Sequence, residues 1–337
     1  MSEISANRLF PFSRPRRNRK ADWSRRLVRE KELSINNLIL SMVIHDRDEA
    51  PEPIQSMPGI FRHNLESAIK TAIEAQNLGI PMIAVFPHIS ADKKDEHGNE
   101  ALNPEGIIPT FVCEVKKHAP NIGIMCDVAL DPYTIHGHDG IIDDDGYMLN
   151  DETTQMLVKQ ALLQASCGAD VVAPSDMCDG RIGEIRDALE ENGLINTQIM
   201  SYAAKYASAF YGPYRDAIGS KGALKGDKKT YQMDPLNTDE ALHEVALDIA
   251  EGADMVMVKP GMPYLDILSR IKSEFKMPTY AFQVSGEYAM MEAAIANGWL
   301  DGNRARLEAL QCFVRAGADG IITYWANEAA KILRDGK

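Results

Sequence analysis

Two lysines stand at the ends of apolar runs, where their side chains could do covalent chemistry. Lys259 closes the run Met255–Val258 and is followed by Pro260-Gly261, and Lys205 closes a similar run. An ammonium at the end of a buried strand is costly unless it is paired or loses its proton, and the neutral amine is a Schiff-base nucleophile. A salt-bridged lysine is the alternative for either residue alone. Two ammonium groups on neighbouring strands repel, so we expect each lysine to lower the pKa of the other.

The segment after Lys205 has the composition of an active-site lid. Phe210-Tyr211-Gly212-Pro213-Tyr214-Arg215 leads into the glycine- and lysine-rich stretch 219–229. Glycines allow movement, while the aromatic residues and Arg215 provide groups that can close over an anionic substrate. A surface loop without function is the alternative, but it leaves the aromatic cluster unexplained.

A third cluster is rich in aspartate and histidine and runs from Asp127 to Asp145. Oxygen ligands of this kind suit magnesium better than zinc. A solvated acidic loop would have a similar composition, so both interpretations remain open at this point.

The apolar runs that carry these residues alternate with helical patterns. The predicted strands are Leu38–His45, Ile80–Pro87, Ile122–Leu130, Asp170–Ser175, Gln198–Lys205, Met255–Lys259, Thr279–Ser285 and Gly320–Trp325. Helical patterns include Leu65–Leu78, Glu152–Cys167, Arg181–Glu191, Asp239–Glu251, Leu265–Phe275 and Arg304–Ala316. About eight strands alternating with helices predict a (β/α)8 TIM barrel, in which chemistry gathers at the carboxyl ends of the strands. A doubly wound open sheet is the alternative fold, but no GxGxxG motif follows an early strand.

Charge is unevenly distributed along the chain. Residues 1–30 contain nine Lys/Arg and three acidic residues, so their net charge is +6 within a chain whose total is −13. We therefore predict a basic N-terminal arm for oligomerisation over residues 1–36 and a catalytic barrel over residues 37–337. The acidic total argues against nucleic-acid binding, no apolar run is long enough to cross a membrane, and five scattered cysteines favour a reducing cytoplasm.

Several motifs resemble those of the porphobilinogen synthase (δ-aminolevulinic acid dehydratase) family, in the right order and over essentially the whole chain. They are Ser201–Ser208, Tyr211–Asp216, Tyr231–Pro235, Val256–Pro260, Gln283–Met290 and Arg315–Gly320. The resemblance implies a (β/α)8 barrel with an N-terminal arm that embraces a neighbouring subunit, and a homo-octamer.

The resemblance also implies the reaction. Two molecules of 5-aminolevulinate condense to porphobilinogen with loss of two waters, in tetrapyrrole (haem) biosynthesis. Lys259 matches the lysine that forms the Schiff base at the P site, and Lys205 matches the A-site lysine. The other expected catalytic residues are Asp127, Asp131 and Asp139. The expected substrate-binding residues are Ser285 and Tyr324 for the P-site carboxylate, Arg215 and Lys228 (or adjacent Lys229) for the A-site carboxylate, and Ser175, Phe210 and Tyr214 around them.

Metal use divides this family. Zinc-dependent members carry cysteines at the positions of Ala129, Asp131 and Asp139, and none of these is cysteine here. An Ala/Asp/Asp set lacks the soft ligands that zinc prefers, so the resemblance implies the aspartate-type class without active-site zinc. Glu244 matches the glutamate of an allosteric magnesium site at a subunit interface, although in the sequence alone it would be taken for an exposed helix residue.

Two other classes of function compete with this one. A class I aldolase is also a barrel with an imine lysine, but it needs only one such lysine and does not explain the second lysine with its lid. A non-catalytic protein that binds nucleic acid through the basic arm is the third possibility, and it explains neither lysine.

Overall fold

The computed structural model describes residues 10–219, 224 and 226–335. The chain divides into two compact units, residues 1–33 and 34–337. The first unit contains a 3-10 turn, Pro15–Arg19, and the short helix α1, Asp22–Leu27, in which Asp22 pairs with Arg25 and Arg26. The predicted role of this arm in assembly stays a prediction.

The second unit is built on parallel strands. Among the described residues the strands are β1 (Leu38–His45), β2 (Glu52–Pro53), β3 (Phe61–His63), β4 (Met82–His88), β5 (Gly123–Val128), β6 (Val171–Pro174), β7 (Gln198–Lys205), β8 (Met255–Lys259), β9 (Thr279–Phe282) and β10 (Gly320–Thr323). Eight of them form one parallel sheet in the order β1-β4-β5-β6-β7-β8-β9-β10, and β10 pairs with β1 to close it. The predicted (β/α)8 barrel is therefore confirmed.

Helices follow the barrel strands on the outside. They are α2 (Leu65–Leu78), α3 (Ile107–His118), α4 (Asn150–Ser166), α5 (Arg181–Glu191), α6 (Gly212–Ala217), α7 (Asp239–Ala250), α8 (Leu265–Phe275), α9 (Ser285–Ala296), α10 (Gly302–Ala316) and α11 (Ala326–Asp335). The ends obey local chemistry: the Asn64 side chain caps α2, and Gly317 ends α10 in the left-handed conformation with φ of 113°.

Three Gly-Ala-Asp sequences connect helices to strands, and their aspartates stabilise the amino-terminal end of the barrel. The side chains of Asp170, Asp254 and Asp319 each accept a backbone N–H at the start of the preceding strand, at distances of 2.7–2.8 Å. Each also pairs with a basic residue of a neighbouring helix, namely Lys116, Arg186 and Lys272. These bonds fix the amino ends of neighbouring strands relative to one another. They lie at the end of the barrel opposite the predicted active-site residues.

Three predicted carboxyl ends of strands are wrong by two or three residues. The strand predicted over Ile122–Leu130 ends at Val128. The ninth strand stops at Phe282, and Ser285 is the first residue of α9, because the Glu287 carboxylate accepts the backbone N–H of Val284 and starts a helix there. The last strand stops at Thr323, so Tyr324 and Trp325 follow it, and Thr323 Oγ1 accepts the N–H of Trp325.

A small hairpin interrupts the connection from β1 to α2. Strands β2 and β3 pair antiparallel, and β3 pairs in parallel with the end of β1, at Val43 with Arg62 and Ile44 with His63. The hairpin therefore extends the barrel sheet at its carboxyl edge.

Candidate active site

The two lysines lie side by side. Lys205 and Lys259 are register partners at the ends of β7 and β8, and they are only 4% and 6% exposed. Between Ser201 and Ala204 the register shifts, because β7 contains one more residue than β8 over the same stretch of pairing. Partners in adjacent parallel strands face the same side of a sheet, so the irregularity is what brings the two side chains into one space.

Aromatic rings surround the Lys259 amine. Its Nζ lies 4.7 Å from the ring centroid of Phe282, 4.8 Å from that of Tyr202, 5.3 Å from that of Tyr214 and 5.6 Å from that of Tyr211. Burial, followed by the positive charge of Lys205, lowers the pKa of Lys259 to about 7. A large fraction of this amine is therefore neutral near neutral pH, as nucleophilic attack on a ketone requires.

Lys205 behaves in the opposite way. Its Nζ donates to Asp139 Oδ1 at 3.1 Å and to the Ser175 carbonyl oxygen. Burial alone would lower the pKa of Lys205, but the carboxylates of Asp139, Asp131 and Asp127 outweigh it and raise that pKa. The expectation that each lysine lowers the pKa of the other is therefore wrong for Lys205. The pair consists of one charged ammonium and one readily deprotonated amine.

The three aspartates also differ from one another. Asp139 Oδ2 accepts from Lys228 Nζ at 2.8 Å, and the charges of Lys205 and Lys228 outweigh burial and lower the pKa of Asp139. Burial raises the pKa of Asp131, and it raises the pKa of Asp127 to about 7 against the opposing charge of Lys259. One carboxylate is therefore a fixed anion between two cations, while Asp127 can exchange a proton near neutral pH.

The lid segment places two further cationic side chains near the two lysines. Helix α6 carries Tyr214 and Arg215, and the connection to α7 carries Lys228. The Lys228 side chain is 12% exposed, whereas that of Lys229 is 74% exposed and lies 3.6 Å from Asp227. Of the predicted lid, residues 220–223 and 225 lie outside the described residues.

One cavity joins most of the predicted site. Its lining residues are Asp131, Gly137, Asp139, Lys205, Tyr211, Tyr214, Arg215, Leu224, Lys228, Gln232 and Lys259. The space between them is about 30 Å³, which holds one or two waters and no larger molecule. The described lid residues Tyr214, Arg215 and Lys228 therefore line the same space as the two lysines.

The remaining predicted residues lie outside that cavity. Ser285 Oγ donates to the Phe210 carbonyl oxygen at 3.4 Å, which ties the start of α9 to the lid. The ring of Tyr324 is buried 6.2 Å from that of Phe282, one of the rings around Lys259. Ser175 follows β6. Its carbonyl oxygen accepts a hydrogen bond from Lys205 Nζ, and its side chain is hydrogen-bonded to Asp127.

Glu287 is a site residue that sequence reasoning did not identify. This buried carboxylate accepts the N–H groups of Gly261 at 3.0 Å, Met262 at 2.6 Å and Val284 at 2.8 Å. It therefore links the turn after Lys259 to the start of the helix that carries Ser285. A glutamate three residues into a helix is a capping-box signal and could have been noticed.

The aromatic residue Tyr202 was missed for a different reason. Strand alternation normally predicts which residues face the barrel interior, but the register shift within β7 breaks that alternation. Phe282, the last residue of β9, was missed because the sequence predicted that this strand continues to Ser285. The ring of Tyr231, on the lid connection, is also engaged: its hydroxyl lies 3.1 Å from His138 Nδ1.

The resemblance points to two sets of residues as metal sites: the zinc-ligand positions of zinc-dependent members, and the magnesium site at Glu244. Ala129 offers no ligand, and the Asp139 carboxylate is held by two ammonium groups, so this set does not suit zinc. Within the described ranges, no group of three or more His, Cys, Asp or Glu residues is arranged to hold a metal ion. Glu244 is half-buried on α7 and lines a second cavity with Asp179 and Glu240. Burial, together with these carboxylates, raises the pKa of Glu244, and a carboxylate of this kind with waters suits magnesium.

No helix in the part of the chain that the structure describes is long and apolar enough to cross a membrane.

Comparisons with known proteins agree on one family. The family model for delta-aminolevulinic acid dehydratase matches residues 12–332. The delta-aminolevulinic acid dehydratase of Bradyrhizobium diazoefficiens is 59% identical over 321 residues, covering 95% of this chain and 91% of that protein. The Rhodobacter capsulatus enzyme is 52% identical, covering 96% of this chain and 97% of that protein. The crystal structure of the Toxoplasma gondii enzyme, porphobilinogen synthase in complex with its product porphobilinogen, superposes with a TM-score of 0.94 at 46% identity, covering 96% of this chain and 92% of that one. The chain belongs to the delta-aminolevulinic acid dehydratase (porphobilinogen synthase) family.

Proposed function

We propose that this chain condenses two molecules of 5-aminolevulinate to porphobilinogen with loss of two waters, through imines on Lys259 and Lys205, in tetrapyrrole (haem) biosynthesis. The observation that carries the proposal is the pair of buried register partners at the barrel mouth, whose pKa values are shifted in opposite directions. In an enzyme that forms a single imine, Lys205 would serve only as the charge that lowers the pKa of Lys259, whereas two imines use both amines.

Lys259 forms the first imine. Its neutral amine attacks the ketone carbon of the P-site substrate, and the resulting carbinolamine loses water to give the imine. Asp127, with a pKa of about 7, is suited to protonate the departing hydroxyl and to take a proton back later. Ser285 and the buried Tyr324 offer neutral hydroxyl donors for the substrate carboxylate.

Lys205 serves the second substrate. Its ammonium must lose a proton before an imine can form, and Asp131, whose pKa is raised by burial, is better suited to accept that proton than Asp139, whose pKa is lowered. Arg215 and Lys228 are the cations for the A-site carboxylate, and an incoming carboxylate competes with Asp139 for Lys228. The burial of Lys228 and the exposure of Lys229 support the choice of Lys228. Phe210 and Tyr214 complete the apolar wall of the lid.

The aspartate-type, magnesium-responsive class is part of the proposal. Glu244 would hold magnesium at a subunit interface, with waters completing the coordination, and the ion would supply charge neutralisation and favour assembly. The active site is proposed to work without zinc, since its cations are supplied by lysine and arginine side chains.

The proposed assembly is a homo-octamer in the cytoplasm, without nucleic-acid or membrane partners. The positive charge of residues 1–30 and the negative charge of the remaining chain support packing of the arm on a second copy.

Borohydride trapping and colorimetric detection of porphobilinogen test the function together. The wild-type protein with 5-aminolevulinate should yield porphobilinogen, and borohydride should attach the substrate to Lys259. Lys259→Ala should abolish both signals, while the exposed control Lys229→Ala should keep both. Turnover by Lys259→Ala, or absence of product from the wild-type protein, would overturn the proposal.

A further inference from the structure

We propose that Arg62 is a positioning residue that fastens the lid helix α6 and so places Arg215 for the A-site substrate. The hairpin β2–β3 carries Arg62 and holds its side chain in position. The kinetic part of this inference rests on the proposed function, whereas the anchoring of the lid does not.

The contacts of Arg62 are made with the last turn of α6. Its Nε donates to the Ala217 carbonyl oxygen at 2.6 Å, and its Nη2 donates to the Asp216 carbonyl oxygen at 2.5 Å. Carbonyl groups at a helix C-terminus lack intrahelical donors and carry partial negative charge, so a guanidinium is a favourable partner. Arg62 is 8% exposed, and burial makes these charge-assisted bonds strong.

The hairpin pairs with the Arg62 side chain and adds a second contact with α6. Arg62 Nη1 pairs with Glu52 Oε1 at 3.1 Å across the two strands of the hairpin. Ser56 Oγ, in the loop between those strands, donates to Asp216 Oδ2 at 2.6 Å. Because β3 is paired to β1, both contacts are anchored in the barrel sheet.

The position of these contacts in the barrel explains their consequence. The lid leaves the barrel at β7 and is fastened at β1, and these two strands are four places apart in either direction around the sheet. The chain from the end of β7 to the end of α6 therefore crosses the barrel mouth, and its last helical turn is tied to the far side. Tyr214 and Arg215, on the same helix, line the lysine cavity. Loss of Arg62 would release this end, and Arg215 would spend less time at the A site.

The experiment compares Arg62→Gln, Arg62→Lys and Ser56→Ala with Arg306→Gln. Arg306 of α10 is the matched control, because it makes a bidentate pair with Glu292 of α9 at 2.8 Å and these hydrogen bonds do not involve α6. The readouts are the 5-aminolevulinate concentration for half-maximal rate, borohydride trapping on Lys259 at pH 9, tryptic cleavage at Lys228-Lys229 without substrate, and the melting temperature.

For Arg62→Gln we expect the half-maximal concentration to rise about tenfold or more, and tryptic cleavage to become faster. Arg62→Lys should recover part of the effect, since an ammonium keeps the charge without the fork, and Ser56→Ala should show a smaller change in the same direction. Trapping at pH 9 should stay at the wild-type level, because Lys259 belongs to β8, which the hydrogen bonds of Arg62 do not reach. Arg306→Gln should lower the melting temperature without any of these changes.

Unchanged half-saturation or unchanged cleavage in Arg62→Gln would refute the inference. A loss of trapping in proportion to turnover would also refute it, because that pattern indicates general disruption of the barrel. Absence of porphobilinogen from the wild-type protein is a different result: it overturns the proposed function, and the cleavage assay still decides whether Arg62 fastens the lid.

Discussion

Replacing Lys205 by methionine should move the pH dependence of imine formation on Lys259 to higher pH. In the wild-type site, burial and the charge of Lys205 lower the pKa of Lys259 from 10.5 to about 7. At pH 7 about half of the amine is then neutral, compared with about one molecule in 3,000 at the ordinary pKa. Trapping should therefore rise with pH and reach half its maximum near pH 7, where Asp127 also titrates.

The size of the shift follows from the geometry of the pair. The two lysines are register partners on adjacent strands, which lie about 4.8 Å apart, so their charges interact over about 5 to 8 Å. At an effective dielectric constant of about 20 this repulsion is about 2 to 3 kcal/mol, or about two pH units. Without it the midpoint should lie near pH 9. Trapping by Lys205→Met at pH 7 should then fall about 50-fold and recover at pH 9 to 10.

The assay is the initial rate of borohydride-dependent substrate attachment to Lys259 between pH 5.5 and 10. Lys205→Arg is the matched control, since it keeps the positive charge but cannot form an imine, and its midpoint should stay near pH 7. Both variants should fail to make porphobilinogen. A wild-type midpoint near pH 10, or the same midpoint in the methionine and arginine variants, would refute the electrostatic argument.

Four further outcomes are expected. Arg215→Ala should raise the half-maximal substrate concentration about tenfold to 100-fold, because a charge-assisted hydrogen bond is worth about 1.5–3 kcal/mol, and unchanged saturation kinetics would place Arg215 outside the site. Glu244→Ala should lose any stimulation by magnesium and favour a smaller oligomer while its lysines still trap substrate. A zinc chelator too weak to strip magnesium should leave activity intact, and stoichiometric zinc that is required for activity, found by elemental analysis, would contradict this. Deletion of residues 1–30 should shrink the assembly in light scattering without lowering the barrel's melting temperature by much, and an unchanged oligomer would remove the arm from the interface.

The barrel and its lysines could be predicted from the chain because their determinants are local. Continuous apolar runs ending in Lys205 and Lys259 are typical of strands buried on both faces, and the strands Leu38–His45, Gln198–Lys205 and Met255–Lys259 begin and end where the sequence predicts. One boundary failed where a nearby side chain, three residues along the chain, competes for the backbone. Glu287 turns the segment from Val284 into a helix start, so Ser285 lies on a helix and not at a strand end.

What only the tertiary structure decided is the different state of chemically identical groups. The sequence determined the fold class, the strand-end lysines and the supply of carboxylates and cations. It could not determine that the charge of Lys205 is held by Asp139 while aromatic rings surround Lys259, because that depends on the register shift in β7 and on a lid that closes over the barrel mouth. Nor could it show that Arg62, 155 positions from Ala217 in the chain, donates to the carbonyl oxygen that ends the lid helix. Residue types and spacing are local properties, whereas pKa values and positioning depend on which side chains the folded barrel brings within a few ångströms of one another.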